Sequence, residues 1–242
     1  MNQLETNLNE KYKKYLEKYY ENFPEAKRPG NRFLISKCPE KKEDVKILFL
    51  NLNPSSKDGN TDETFNTDKN FWFDEYWGPG EKDKIYFQRC LYWITERYEN
   101  PEWSYKKQLE NEHKKNDPYS GISTKNILCA YYGPLRTGKW EEIPNPLKDA
   151  SYDLWKSILS GNKPLLAPEY IFTTGKVPYE NICKILATDE TSSCSGWPGY
   201  NFSKTDDTKI IGLPQLTRFK IFCQTEKHIE LLEKEMKRKK IF

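Results

Sequence analysis

Residues Lys46-Ile47-Leu48-Phe49-Leu50-Asn51-Leu52-Asn53-Pro54-Ser55-Ser56 combine an apolar run with an abrupt stop. A run with so little polar alternation fits a strand buried on both faces, the usual state inside a parallel sheet. Pro54 fixes its own φ and steers Asn53 away from helix, so the chain must turn there. A central parallel strand restricts the chain to layered α/β architectures. It also sets Asn53 at the carboxyl end of that strand, where open sheets form ligand crevices. An ordinary strand-ending turn is the alternative.

The rest of the chain alternates helical and extended patterns. Residues 3–21 carry Leu4, Leu8, Tyr12, Leu16 and Tyr19 on one helical stripe, ended by Pro24, Pro29 and Gly30. Arg32 to Ser36 predicts a short edge strand. Residues 55–84 form a long loop with aromatics at Phe65, Phe71, Trp72, Phe73, Tyr76 and Trp77, which must pack as a lid or line a pocket. Helical spacing returns over 82–98. Strands follow at Asn126 to Tyr132 and at Pro168 to Gly175, with a helix at Ala150 to Ser160 between them. A helix starting near Pro178 presents Tyr179, Ile182, Cys183 and Leu186. Residues 188–207 predict a polar loop, Lys209 to Leu213 a strand, and Thr225 to Lys239 a closing helix. The expectation is an α/β fold: a three-layer αβα sandwich around a central, mostly parallel four-stranded sheet. It forms one domain over 1–242, with 1–36 as an N-terminal helical extension.

Composition supports a folded chain despite a mean hydropathy of −0.93, because aromatics reach 14% of the 242 residues, and disordered chains are poor in them. A net charge of +3 leaves any basic surface to clustering. The six cysteines include no Cys-x-x-Cys pair, which argues against a zinc site or a disulfide framework. No signal peptide or long apolar segment is present, predicting a cytoplasmic, non-membrane protein.

Gly133-Pro134-Leu135-Arg136-Thr137-Gly138-Lys139 follows a strand and matches the first seven positions of a phosphate-binding P-loop. Trp140 stands where Ser or Thr would hold Mg²⁺, and Pro144 and Pro146 argue against a helix start behind it. Arg136 and Lys139 remain as solvated cations or phosphate contacts. His113 and His228 lack neighbours at metal-ligand spacing.

The strand ends, taken in order, carry a family resemblance. They are Leu50-Asn51-Leu52-Asn53-Pro54-Ser55, Leu128-Cys129-Ala130-Tyr131-Tyr132-Gly133-Pro134, Ile171-Phe172-Thr173-Thr174-Gly175-Lys176 and Ile211-Gly212-Leu213-Pro214-Gln215-Leu216-Thr217-Arg218-Phe219. In this order the chain resembles the uracil-DNA glycosylase superfamily over roughly residues 46 to 235. That family ends its first strand in Gly-x-Asn/Asp-Pro, carries a third-strand motif near Ile-x-x-x-Gly-Lys and opens a late loop with His-Pro-Ser or His-Leu-Ser.

The resemblance implies a set of roles. Asn53 would orient the attacking water through its amide, with Gln215 as its catalytic counterpart. Pro54 and Ser55 would shape the pocket, and Phe71 or Phe73 would stack on a base flipped from DNA. Tyr131 and Tyr132 stand nearest the family's base-reading position at the end of the second strand. Ser56, Arg136, Lys139 and Lys176 would meet DNA, Leu216 would wedge into the minor groove, and Thr217 and Arg218 would contact its backbone. No cofactor or metal is implied. The partner is single- or double-stranded DNA, met by a monomer without a membrane.

Gln215 replaces the family's late-loop His, and a neutral amide gives the departing base less electrostatic help. Two functions follow: a glycosylase-like enzyme hydrolysing the N-glycosidic bond of a damaged or modified base, or a catalytically inactive module of this fold that binds nucleic acid or protein. An α/β domain of unrelated function is the third possibility.

Overall fold

The computed structural model describes residues 2–24, 33–34, 38–52, 126–135, 140–188, 191–193, 201–213 and 225–238. The expected aromatic loop at 55–84, the helix at 82–98 and His113 lie outside these residues.

The first helix, α1 (Gln3–Asn22), starts where Asn2 caps it: the Glu5 amide donates to Asn2 Oδ1 at 2.8 Å. Neither Gly nor Pro interrupts its twenty residues. Its buried stripe is Leu4, Leu8, Tyr12, Tyr15 and Tyr19. Tyr15 thus takes the place expected for Leu16, which is only partly buried. The Tyr12 ring stacks on Tyr15 and on Phe33, whose ring centroid is 5.6 Å from that of Trp155.

Trp155 belongs to α2 (Asn145–Leu159). The sequence counted Pro144 and Pro146 against a helix start, yet they flank it: Pro144 is the N-cap and Pro146 lies in the first turn. A missing N–H costs nothing in the first turn, so two prolines there begin the helix instead of breaking it.

Among the described residues six strands form one sheet: β1 (Ile47–Asn51), β2 (Ile127–Tyr131), β3 (Tyr170–Thr174), β4 (Thr191–Ser193), β5 (Asn201–Lys204) and β6 (Lys209–Leu213). Their order is β2-β1-β3-β6-β5-β4. The first four in this order are parallel and are the strands expected from the sequence. The sheet is two strands wider than expected, because 188–207 is not all loop: β4 and β5 pair antiparallel and extend the sheet from β6. Short polar strands at an edge bury little, and Phe202 is the one large apolar side chain of β5. Of the expected edge strand 32–36 only Phe33 and Leu34 are among the described residues, and Leu34 forms an antiparallel bridge with Ala130 of β2.

Helix α3 (Lys176–Ile185) follows β3, and α4 (Thr225–Arg238) follows β6. One face of the sheet, with Leu48, Leu50, Leu128, Ala130, Ile171 and Ile210, shares a continuous apolar cluster with α1, α2 and α3. The opposite face carries Ile47, Phe49, Ile127, Cys129, Phe172 and Ile211, all at most 1% exposed. Both faces of the parallel sheet are therefore covered, as near-continuous apolar strands require. Among the described residues no helix is long and apolar enough to cross a membrane.

Candidate functional site

The strand order places β1 between β2 and β3, so the chain leaves β1 in one direction and returns on its other side. In open parallel sheets such a reversal, where the connections leave neighbouring strands to opposite sides, is the place outside the carboxyl ends where ligands bind. Here those ends are Asn51 of β1 and Thr174 of β3.

Register fixes what stands there. On the face opposite α1–α3, successive rows across β2, β1, β3 and β6 read Ile127, Ile47, Tyr170, Lys209, then Cys129, Phe49, Phe172, Ile211. The last row is Tyr131, Asn51, Thr174, Leu213. The middle row is fully apolar, with the Phe49 and Phe172 rings 6.5 Å apart and nearly parallel. At the end of the strands the pattern turns polar at its two central positions. Thr174 Oγ1 donates to Asn51 Oδ1 at 3.0 Å, and Asn51 is only half-buried.

The backbone beyond this row is tightly tied. The Tyr132 amide donates to the Asn51 carbonyl at 2.6 Å, Gly133 to Leu52 at 2.8 Å, and Gly175 to Leu213 at 2.8 Å. Gly175, at φ 87° and ψ 164°, joins β3 to α3 in a conformation open essentially to glycine alone. It faces Leu52, whose Cδ2 would lie 3.9 Å from a Cβ placed there.

The residues singled out in the sequence divide sharply. Asn53, Pro54, Ser55, Ser56, Phe71, Phe73, Arg136, Lys139, Gln215, Leu216, Thr217 and Arg218 lie outside the described residues. Tyr131 stands in the terminal row, in register with Asn51. Tyr132 instead joins the helix-side cluster, fully buried, with Trp140 against its ring and Trp155 Nε1 donating to its carbonyl at 3.0 Å. Burial raises the pKa of its hydroxyl, which stays a neutral phenol. Lys176 is at the same carboxyl edge, its side chain 81% exposed and 3.5 Å from Glu180. Of the segment with P-loop spacing, only 133–135 are among the described residues. The Trp140 ring covers Gly133 so closely that a Cβ there would overlap it, and a 3-10 turn at Trp140–Glu142 separates the loop from α2.

Asn51 and Thr174 were not singled out in the sequence. The available signal was parity: with Ile47 and Phe49 on one face, Asn51 joins them, and Thr174 falls on the same face as Phe172.

A separate cavity of about 180 Å³ lies at the amino ends of the strands, lined mainly by Leu159, Leu166, Pro168, Ile171 and Leu186, with Asp207 among its polar residues. It is smaller than ordinary ligand pockets, which begin near roughly 300 Å³. Among the described residues no group of three His, Cys, Asp or Glu is placed to hold a metal ion. Compared with known proteins, the chain matches no family model, and no curated protein matches it significantly.

Proposed function

We propose that the chain is a DNA glycosylase-like protein that hydrolyses the N-glycosidic bond of a damaged or modified base flipped out of DNA. The observation that carries this reading is the polar pair Asn51–Thr174 at the β1/β3 reversal, one residue from the Leu52-Asn53-Pro54 turn. A partly accessible amide held at the strand-end reversal, where open sheets bind ligands, suits the polar edge of a flat ring, and a nucleobase is such a ring. The family resemblance supplies the choice of DNA and the chemistry.

In that chemistry water attacks the sugar carbon as the base leaves with the bonding electrons. Asn53 orients the water as a hydrogen-bond acceptor, and the Gln215 amide donates to the charge gathering on the base. The exposed Lys176 contacts a phosphate beside the crevice.

One observation favours the second reading, a binding module without chemistry. The terminal row Tyr131–Asn51–Thr174–Leu213 holds no carboxylate and no imidazole, so no strong base or acid stands in it. The two readings part on one experiment. Oligonucleotides carrying uracil, mismatched thymine or modified cytosine are incubated with the protein and then heated in alkali. Strand breaks at the lesion, lost in Asn53→Ala while binding persists, are the expected result. Salt-sensitive binding without breaks on any substrate would establish the binding module, and no binding at low salt would remove both.

A further inference from the structure

A side-chain amide is planar, so fixing its oxygen fixes the direction of its nitrogen. Asn51 Oδ1 receives the Thr174 hydroxyl at 3.0 Å. Thr174 is itself only 3% exposed at the end of β3, so the hydroxyl is a rigid partner. Asn51 Nδ2 then carries two N–H donors, which have no partner among the described residues. Its neighbours in the row are Tyr131 on β2 and, beyond Thr174, Leu213 on β6. This donor pair belongs to a residue that remains partly accessible, directly above the Phe49–Phe172 layer.

We propose that Asn51 is the specificity-determining residue of the crevice, donating through Nδ2 to a carbonyl oxygen on the edge of the bound ring, with Thr174 as its positioning residue. The inference rests on the reading of the crevice as a base-binding site. It moves base recognition from the second strand, where the resemblance puts it, to the first. Tyr132 is turned into the helix-side core, and Asn51 is the register neighbour of Tyr131.

The consequence is a chemical preference. A ring with a carbonyl opposite Nδ2 accepts a hydrogen bond. A ring with an amino group there sets donor against donor and leaves both unsatisfied in a partly dry site, which is the stronger basis for rejection. Thr174 matters because without its hydroxyl the amide can turn over, presenting Oδ1 and accepting the amino-bearing ring.

The test compares binding, read by fluorescence anisotropy, of two duplexes that differ only in uracil or cytosine at one position opposite an abasic site. A 2′-fluoro sugar at that position blocks cleavage. The native protein is expected to favour uracil by about tenfold or more. Asn51→Asp, which replaces donors by acceptors, is expected to reverse the preference toward cytosine. Thr174→Val is expected to shrink it severalfold, and Thr174→Ser, which keeps the hydroxyl, to retain it. Asn51→Ser serves as the second variant at this position should the aspartate prevent folding, with near-equal binding expected. Equal binding of both duplexes by the native protein, or an unchanged uracil preference in the Asn51 variants, overturns the inference while leaving the base-binding reading intact. Failure of the native protein to bind either duplex overturns both.

Discussion

The ring of Tyr179 rests on Gly212: a Cβ at that glycine would lie 2.8 Å from Tyr179 Cδ2 and 3.1 Å from Asn201 Cβ. The contact seats α3 against β6 and so fixes the helix that begins at the carboxyl edge of β3. Tyr179 is buried, and close-packed interiors leave a ring little room to shift. Gly212→Ala should therefore cost about 1–3 kcal/mol, read as a lowered urea midpoint with an unchanged slope. A neutral result would mean that α3 shifts freely on the sheet.

On the opposite side of β1, Trp155 Nε1 is a buried donor to the Tyr132 carbonyl. Trp155→Phe keeps most of the ring's packing but leaves that carbonyl without its partner, at a cost of about 1–3 kcal/mol. Hydrogen exchange at the Tyr131 and Tyr132 amides should accelerate more than exchange at the centre of β2, since the change acts at the strand's end.

Thr173 points to the helix side of β3, is fully buried, and its hydroxyl has no hydrogen-bond partner among the described residues. Replacing it by valine removes that desolvated hydroxyl at nearly constant shape. Stability should rise by about 1 kcal/mol in thermal or urea unfolding. A fall of that size would refute the assignment of an unpaired hydroxyl.

Burial, with the nearby Glu5 carboxylate adding to it, pushes the Cys38 thiol up from 9.0 to about 12. Between these values the unfolded chain releases a proton that the folded chain keeps, so stability falls as pH rises through this window and is fully present below it. Tyr15, Tyr132 and Tyr179, all raised first by burial, add to the same trend at higher pH. Cys38→Ala should flatten the loss above pH 9 by at most about 1.4 kcal/mol per pH unit. Urea midpoints measured across the alkaline range give the slope directly.

Lys176 pairs with Glu180 at 3.5 Å with its own side chain 81% exposed, and an ion pair of that kind contributes little to stability. Lys176→Ala should leave the unfolding midpoint nearly unchanged. If the carboxyl edge meets DNA, the same change should reduce the slope of log affinity against log salt by about 1. An unchanged salt slope would detach this edge from any phosphate contact.

The parallel core was legible because buried strands announce themselves: Ile47-Leu48-Phe49-Leu50 and Ile127-Leu128-Cys129-Ala130 have almost no polar residue to confuse the pattern. The β4–β5 hairpin was not, since Thr191-Ser192-Ser193 has no apolar side chain and Asn201-Phe202-Ser203-Lys204 has one. These strands exist because β6 offers an open edge, a condition set by tertiary structure. At the site, Pro54 drew the reading to Asn53, because proline marks a turn in sequence. Asn51 carries no such mark. Its significance comes from Thr174, its partner across 123 residues of chain, and a hydrogen bond over that separation leaves no local periodicity to find.

The position of β1 has a cost during synthesis. Both of its neighbours in the sheet are encoded later: Ile47 pairs with Ile127 on one side and with Tyr170 on the other. The most apolar strand thus leaves the ribosome with neither edge satisfied, and stays so while the whole stretch from 52 to 126 is added. Loop closure over such distances is slow, and an unpaired apolar strand is the kind of segment that sticks to its like. In the growing chain Ile47–Asn51 is therefore the segment most in need of shielding until β2 and β3 arrive.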